Sequence, residues 1–193
     1  LGPWRATQQW IKKLKTDSIF DGITHIHIDL YGSLSLTGKG HATDLAILLG
    51  LSGTDPEYIE IDSIESIIST IKDTNTLLLN GIKNVPYSDK TVVFNRDFLP
   101  FHSNGMTFIA YNEETVISKE TYYSIGGGFI VQEEDNLEDE IEISKQNFPY
   151  PINRAKQLEE YCERDNKLIS DIVFQNELEL KPADEIDFEL HRI

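Results

Sequence analysis

Hydrophobic residues recur at two different spacings in the first thirty positions of the chain. Behind Pro3 they follow the helical spacing of three and four residues, which predicts an amphipathic helix over residues 3–16. In HIHIDL, at 25–30, apolar residues alternate with histidine and aspartate. This period of two predicts a strand with one buried face.

Two further helices and a series of strands follow. Residues 41–51 form a short apolar run typical of a helix, and the pair Asp62 and Glu65 resembles a capping box that starts a second one. β-branched or aromatic residues fill five more segments, which predicts strands over 76–79, 90–95, 107–111, 116–123 and 129–132. Strands that follow one another in sequence favour antiparallel pairing.

The last sixty residues have a different character. Residues 133–142 hold seven acidic and no basic side chains, so we expect a solvated loop there. Asn153 is then placed to cap a helix. The apolar face of that helix would carry Ala155, Leu158 and Cys162. Helices on both sides of a block of strands predict an α+β fold with a mostly antiparallel sheet, divided into a domain over 1–150 and a helical segment over 151–193.

The composition is that of an acidic protein. Its 33 Asp and Glu against 17 Lys and Arg give a formal charge of -16, which repels phosphate backbones and anionic lipid. We therefore expect neither nucleic acid nor a membrane as a partner. A lone cysteine, which we expect to be buried in the core, permits no internal disulfide and indicates a reducing, cytoplasmic compartment. Because the chain opens at Leu1 rather than Met, we expect a fragment of a longer protein.

The segment LYGSLSLTGKGHATD, at 30–44, concentrates glycine, histidine and small polar residues. The N-terminus of a helix disfavours an imidazolium, so a histidine there favours its neutral, base-competent form. His41 is therefore a candidate catalytic base. The alternative is that His41 only caps the helix and that the glycines only turn the chain.

Two other segments combine glycine with polar side chains. His102 lies in LPFHSNGM, at 99–106, where a loop histidine bonded to the backbone is the simpler interpretation. In ETYYSIGGGF, at 120–129, three consecutive glycines form either a turn or bulge, or a row of N–H groups that binds a carboxylate. The two histidines of the 25–30 strand are too weak a pattern to indicate a metal, and no metal site is expected in this chain.

Together with GPWRA at 2–6, these three segments resemble the bacterial iron–sulfur L-serine dehydratases in wording, order and separation. The resemblance is to the N-terminal β domain of the single-chain form, and it covers nearly the whole chain. Three positions depart from the family pattern: Trp4 replaces a usual Met, Ala42 a usual Gly, and Ser103 a usual Pro. The methyl group of Ala42 matters only if that position needs a positive φ.

The resemblance implies an L-serine ammonia-lyase that works without pyridoxal phosphate. An open iron of a [4Fe-4S] cluster would coordinate the serine hydroxyl while a base removes the α-proton. The cluster ligands would lie outside this chain, in a C-terminal α domain. By motif position His41 is the implied general base, and His102 would gate the site or assist proton transfer.

The remaining implied roles concern the substrate carboxylate and the orientation of the base. Lys39 would neutralise the carboxylate, and Thr43 or Asp44 would orient the ring of His41. The implied hydrogen-bond donors to the carboxylate are Ser124, Gly126, Gly127 and Gly128.

The resemblance also implies partners. L-serine, the C-terminal α domain and a second copy in a homodimer are expected for the complete protein, while the fragment alone is expected to be inactive. A different class stays open, namely a regulatory module that binds serine without transforming it. The β domain also resembles the allosteric substrate-binding domain of some phosphoglycerate dehydrogenases.

Overall fold

The computed structural model describes residues 1–133 and 148–191. They belong to two compact units, Leu1–Asp135 and Asn136–Ile193. The predicted acidic loop lies outside the described residues except for Glu133. Helices and strands share the first unit, and its larger sheet is mostly antiparallel, which confirms the α+β prediction.

A five-stranded sheet forms the centre of the first unit, with strand order β4-β1-β5-β6-β7. Its strands are β1 (His25–Leu30), β4 (Val92–Phe94), β5 (Gly105–Asn112), β6 (Thr115–Gly126) and β7 (Phe129–Gln132). Three of the pairings are antiparallel, as predicted. β1 and β4, which do not follow one another in sequence, run parallel; a parallel pair needs a long crossover, and residues 31–91 supply it.

The crossover contains three helices and a small antiparallel sheet. The helices are α2 (Gly32–Leu36), α3 (Thr43–Leu51) and α4 (Ile61–Thr74), and the sheet pairs β2 (Thr76–Leu79) with β3 (Lys83–Pro86). α2 and β3 were not predicted, because each is short and lacks a clear apolar period. The predicted capping box is wrong, since α4 follows Glu60 with no side-chain cap and holds Asp62 within its first turn.

Helix α1 (Gly2–Thr16) packs against β5, β6 and β7 on one face of the sheet, and α3 packs against α1. The predicted alternation in β1 is confirmed, because its isoleucine and leucine side chains are buried while the others are half-buried. Trp10 of α1 is fully buried and stacks on Phe108 of β5 with ring centroids 5.2 Å apart. This face of the sheet is therefore the hydrophobic core of the first unit.

The second unit contains α5 (Ala155–Asp165), α6 (Ile169–Glu177) and α7 (Ala183–Leu190). Its first helix has Arg154 and not the predicted Asn153 as its N-cap, and Oε1 of Gln157 accepts the N–H groups of Asn153 and Arg154 at 2.9 and 3.0 Å. The prediction of a buried thiol is wrong, because Cys162 is partly exposed. Across the described parts of both units, no helix combines the length and apolar character needed to cross a bilayer.

Candidate functional site

Four strand ends meet at one end of the large sheet. β1 finishes at Leu30, which lies opposite Phe94 at the end of parallel β4 and opposite Met106 near the start of antiparallel β5. The start of β5 in turn lies beside the last part of β6, where Gly105 pairs with Tyr123. The glycine- and histidine-containing segments follow or precede these strand ends, so the topology collects them at one edge.

The segment after β1 is fastened to the loop that precedes β5. Gly32 donates its N–H to Asp97 O at 2.8 Å, and Ser33 donates to Ser103 O at 2.8 Å. Gly32 has a φ of +52°, and a Cβ there would come 2.2 Å from Ser103 O. A side chain at this position would therefore push the two segments apart.

The turn formed by GKGH, at 38–41, packs against Phe94 at the end of β4. A Cβ on Gly38 would come 2.0 Å from Leu34 O and 2.8 Å from the Phe94 ring, so only glycine fits this close approach. Lys39 is exposed, and its Nζ lies 5.5 Å from the centroid of the Phe94 ring. A cation–π contact uses none of the N–H donors of an ammonium group for a hydrogen bond, so Lys39 can still attract a carboxylate.

His41 is exposed in the turn before α3, which begins at Thr43 rather than at His41. In the described residues, the imidazoles of the other four histidines are hydrogen-bonded, and that of His41 is not. No hydrogen bond of the described residues joins its ring to Thr43 or Asp44. Their role in orienting the ring stays a prediction.

The residue after His41 has a left-handed backbone conformation. Ala42 is the N-cap of α3 and has φ 53° and ψ 36°. In this region the Cβ of an L-residue is crowded by its own carbonyl oxygen, whereas glycine adopts it freely. The departure from the family's usual glycine at Ala42 therefore carries a backbone strain in this protein.

Asp44 contributes to the environment of a tyrosine from another element. Burial, followed by the negative charges of Asp89 and Asp44, raises the pKa of Tyr87 above its ordinary value. Asp44 is therefore within electrostatic range of the β3–β4 loop. Tyr87 is a neighbour of the predicted site that no sequence pattern indicated.

His102 and Ser124 are brought together by a residue between them in the fold, Asn104. The N–H of Asn104 donates to Nδ1 of His102 at 3.1 Å, and its side-chain Nδ2 donates to Ser124 O at 3.2 Å. Ser124 returns its own N–H to Asn104 O at 3.0 Å. The interpretation of His102 as a loop histidine bonded to the backbone describes this contact, and sequence reasoning missed Asn104.

The start of α1 packs against the same strand end. A Cβ on Gly2 would come 2.1 Å from the Oγ of Ser124, which shows how closely the helix backbone approaches this hydroxyl. Arg5, one turn further along α1, directs Nη1 toward Gly128 O at 3.4 Å. The GPWRA segment therefore belongs to the same cluster as the glycine-rich one.

The three consecutive glycines form the turn between β6 and β7. Gly126 pairs with Phe129, and the two residues between them have positive φ values, 58° at Gly127 and 83° at Gly128. Two positive φ values in a two-residue loop are typical of a type I′ hairpin. The turn interpretation is confirmed, and carboxylate binding by the N–H groups stays a prediction.

The two histidines of β1 have structural contacts on the polar face of the sheet. His25 stacks on Tyr111 at 4.4 Å, while His27 places Nδ1 3.0 Å from Lys90 O and Nε2 3.2 Å from Asp29. In the described part of the chain, no group of three or more His, Cys, Asp or Glu is arranged to hold a metal ion.

Comparison with known proteins gives one consistent result. A family model described as "Serine dehydratase beta chain" matches residues 1–135. L-serine dehydratase 1 of Escherichia coli is 42% identical over 189 residues, which cover 97% of this chain and 41% of that protein. The L-serine dehydratase of Haemophilus influenzae is 38% identical, with coverages of 100% and 43%.

A more divergent relative agrees. The L-serine dehydratase of Streptomyces coelicolor is 35% identical over 190 residues, or 96% of this chain and 42% of the relative. The chain thus spans about two fifths of the length of these relatives. Because the family model covers well over half of the chain, the protein belongs to the serine dehydratase beta chain family.

Proposed function

We propose that this chain is the β domain of an L-serine ammonia-lyase, a cytoplasmic enzyme that converts L-serine into pyruvate and ammonium. The observation that carries the proposal is the meeting of the four motif segments at one end of the sheet, in a chain of this family. The names of the relatives supply the substrate. L-serine, the C-terminal α domain and a second copy of the protein are the proposed partners.

The roles of the side chains follow from the reaction. His41, whose imidazole is exposed and makes no hydrogen bond within the described residues, accepts the α-proton of serine. The β-hydroxyl leaves as water, and the resulting aminoacrylate is hydrolysed to pyruvate and ammonium. Lys39 attracts the substrate carboxylate, and the Ser124 hydroxyl with the N–H groups of 126–128 orients it. His102 assists proton transfer at the edge of the site.

The proposed [4Fe-4S] cluster does not fit the donors of this chain. Such a cluster is held by about four cysteine thiolates, and the sequence contains only Cys162, a partly exposed residue of the second unit. The ligands would therefore come from outside these 193 residues. The contribution of the present chain is to bind the carboxylate and to move the proton.

The test uses the complete polypeptide that contains this chain, expressed without oxygen and supplied with iron and sulfide. We expect pyruvate from L-serine, and a loss of about 10² to 10⁴ in kcat for His41→Ala. His191→Ala removes an exposed histidine of the second unit and is the matched control, with expected wild-type turnover.

Two results would contradict the proposal. Absence of pyruvate from a protein that carries its cluster would favour a serine-binding regulatory module, which calorimetric titration of this chain with L-serine would then detect. Near-normal turnover of His41→Ala would remove His41 from the role of general base.

A further inference from the structure

Asn104 occupies the position where the β5–β6 ladder would gain one more pair. The last regular pair joins Gly105 to Tyr123, and the next residues outward are Asn104 and Ser124. Opposed residues in an antiparallel ladder can exchange two bonds between main-chain N–H and C=O groups. Here one of the two is normal, because Ser124 N–H donates to Asn104 O at 3.0 Å.

The second bond of the pair is made by a side chain. Ser124 O accepts from Nδ2 of Asn104 at 3.2 Å instead of from the main-chain N–H. The amide side chain thus replaces the backbone as the donor. The main-chain N–H of Asn104 is released from the ladder and donates to Nδ1 of His102 at 3.1 Å.

This bond determines which nitrogen of a neutral His102 ring carries the proton. An N–H donor opposite Nδ1 requires a lone pair there, so the proton is on Nε2. His102 is half-buried, and the structure gives it no other ring hydrogen bond among the described residues. Its orientation and tautomer therefore depend on the N–H of residue 104.

We infer that Asn104 is a positioning residue that couples His102 to Ser124. By substituting its side-chain amide for its own N–H in the ladder, it holds the end of β6 and keeps His102 as the Nε2–H tautomer. Alanine or aspartate at this position cannot donate to Ser124 O at neutral pH. In such variants the main-chain N–H returns to the ladder and His102 loses its donor. The catalytic consequence rests on the proposed function, whereas the coupling does not.

The first experiment measures the coupling on the 193-residue chain, without any enzyme assay. Long-range ¹H–¹⁵N spectra at pH 8 report the tautomer of each histidine, and His102→Gln identifies the resonance of His102. We expect one tautomer, Nε2–H, in the wild type and a mixture of both in Asn104→Asp. Asn84→Asp makes the same chemical change on an exposed residue of β3 and is expected to leave the His102 signal unchanged.

A second variant distinguishes loss of the amide donor from misfolding. Asn104→Gln keeps the amide donor on a longer side chain, and we expect it to restore much of the wild-type tautomer signal. An unchanged His102 tautomer in Asn104→Asp would overturn the inference. So would a tautomer mixture in the wild type.

The second experiment measures turnover in the complete protein. Loss of a partner that orients a metal-bound histidine typically costs about 10- to 100-fold, and we expect kcat of Asn104→Asp to fall by a similar factor with a smaller change in KM. Partial recovery in Asn104→Gln is expected. If the wild-type protein forms no pyruvate, the proposed function fails, and the tautomer spectra still decide the inference. Unchanged kcat in Asn104→Asp, in an active enzyme, would overturn the role in positioning.

Discussion

At the scale of single residues, several positions of the site are determined by backbone geometry rather than by side-chain chemistry. Ala42 is held at a φ of 53°, next to the proposed base His41. Gly38 and Gly32 touch backbone carbonyls so closely that a Cβ would overlap them. The glycines therefore have a steric reason to be there, independent of any substrate.

Ala42→Gly should stabilise the first unit by about 1 kcal/mol, because glycine relieves the strain of the left-handed conformation. Both tryptophans lie in α1, so their fluorescence during urea unfolding reports on this unit. Ala46→Gly, inside α3, is the matched control and should destabilise by about 1 kcal/mol. A change of the same sign in the free energy of unfolding of both variants would contradict the prediction.

Gly38 and Gly40 form a second matched pair within one turn. We expect Gly38→Ala to destabilise the first unit by about 1–3 kcal/mol, because its Cβ would meet Leu34 O at 2.0 Å. The nearest atom to a Cβ on Gly40 is 3.5 Å away, an ordinary contact, so Gly40→Ala should be tolerated. The urea midpoints of the two variants are measured by tryptophan fluorescence. Equal midpoints would show that the turn shifts to accommodate a Cβ on residue 38.

At the scale of elements, Tyr123 of β6 is hydrogen-bonded to Glu133, the residue that follows β7. The Tyr123 side chain is fully buried, and its hydroxyl donates to Oε1 of Glu133 at 3.0 Å. Burial first, and then the bond to Glu133 and its negative charge, raises the pKa of Tyr123 to about 12. The hairpin therefore holds a neutral phenol well above the pH at which an exposed tyrosine ionises.

This pKa predicts a loss of stability at high pH. Above about pH 10 the unfolded chain loses the phenolic proton while the folded protein keeps it, so the free energy of unfolding falls between about pH 10 and 12. The contribution of Tyr123 to that fall should be about 2 kcal/mol. Urea unfolding at pH 9.5 and 11.5 measures it, and Tyr123→Phe should show a smaller fall. The same fall in both proteins would contradict the assignment.

At the scale of the whole molecule, the negative charge is unevenly distributed. Residues 134–193 hold 17 acidic and 7 basic side chains, whereas residues 1–133 hold 16 acidic and 10 basic ones. The described ion pairs of the second unit, such as Lys181 with Glu185 and Glu189, are mostly exposed. Exposed pairs stabilise weakly, so the repulsion that comes from this excess of acidic side chains dominates.

Salt should therefore stabilise the protein. Raising NaCl from 20 to 300 mM screens the repulsion, and we expect a calorimetric unfolding midpoint higher by about 2–4 °C, which corresponds to about 1 kcal/mol. Tryptophan fluorescence, which reports only on the first unit, should show a smaller shift. A midpoint that falls with salt would mean that the ion pairs outweigh the repulsion.

The sequence by itself determined the elements with a strong local period and the four segments of the candidate site. Alternation at 25–30 and helical spacing at 3–16 are local properties, because burial of one face is repeated along the element. The residues of these motifs and their order along the chain were sufficient to indicate the family that the comparison supports. The catalytic roles of His41 and His102 remain predictions.

Only the tertiary structure decided how these segments meet. The parallel pairing of β1 with β4, the strain at Ala42 and the position of Asn104 depend on contacts between residues far apart in the chain. The local sequence pattern does not indicate which main-chain N–H groups stay unpaired between neighbouring strands, as that of Asn104 does. The hydrogen-bond partner of the Asn104 N–H follows from the register of β5 and β6. This register is set by the packing of the whole sheet.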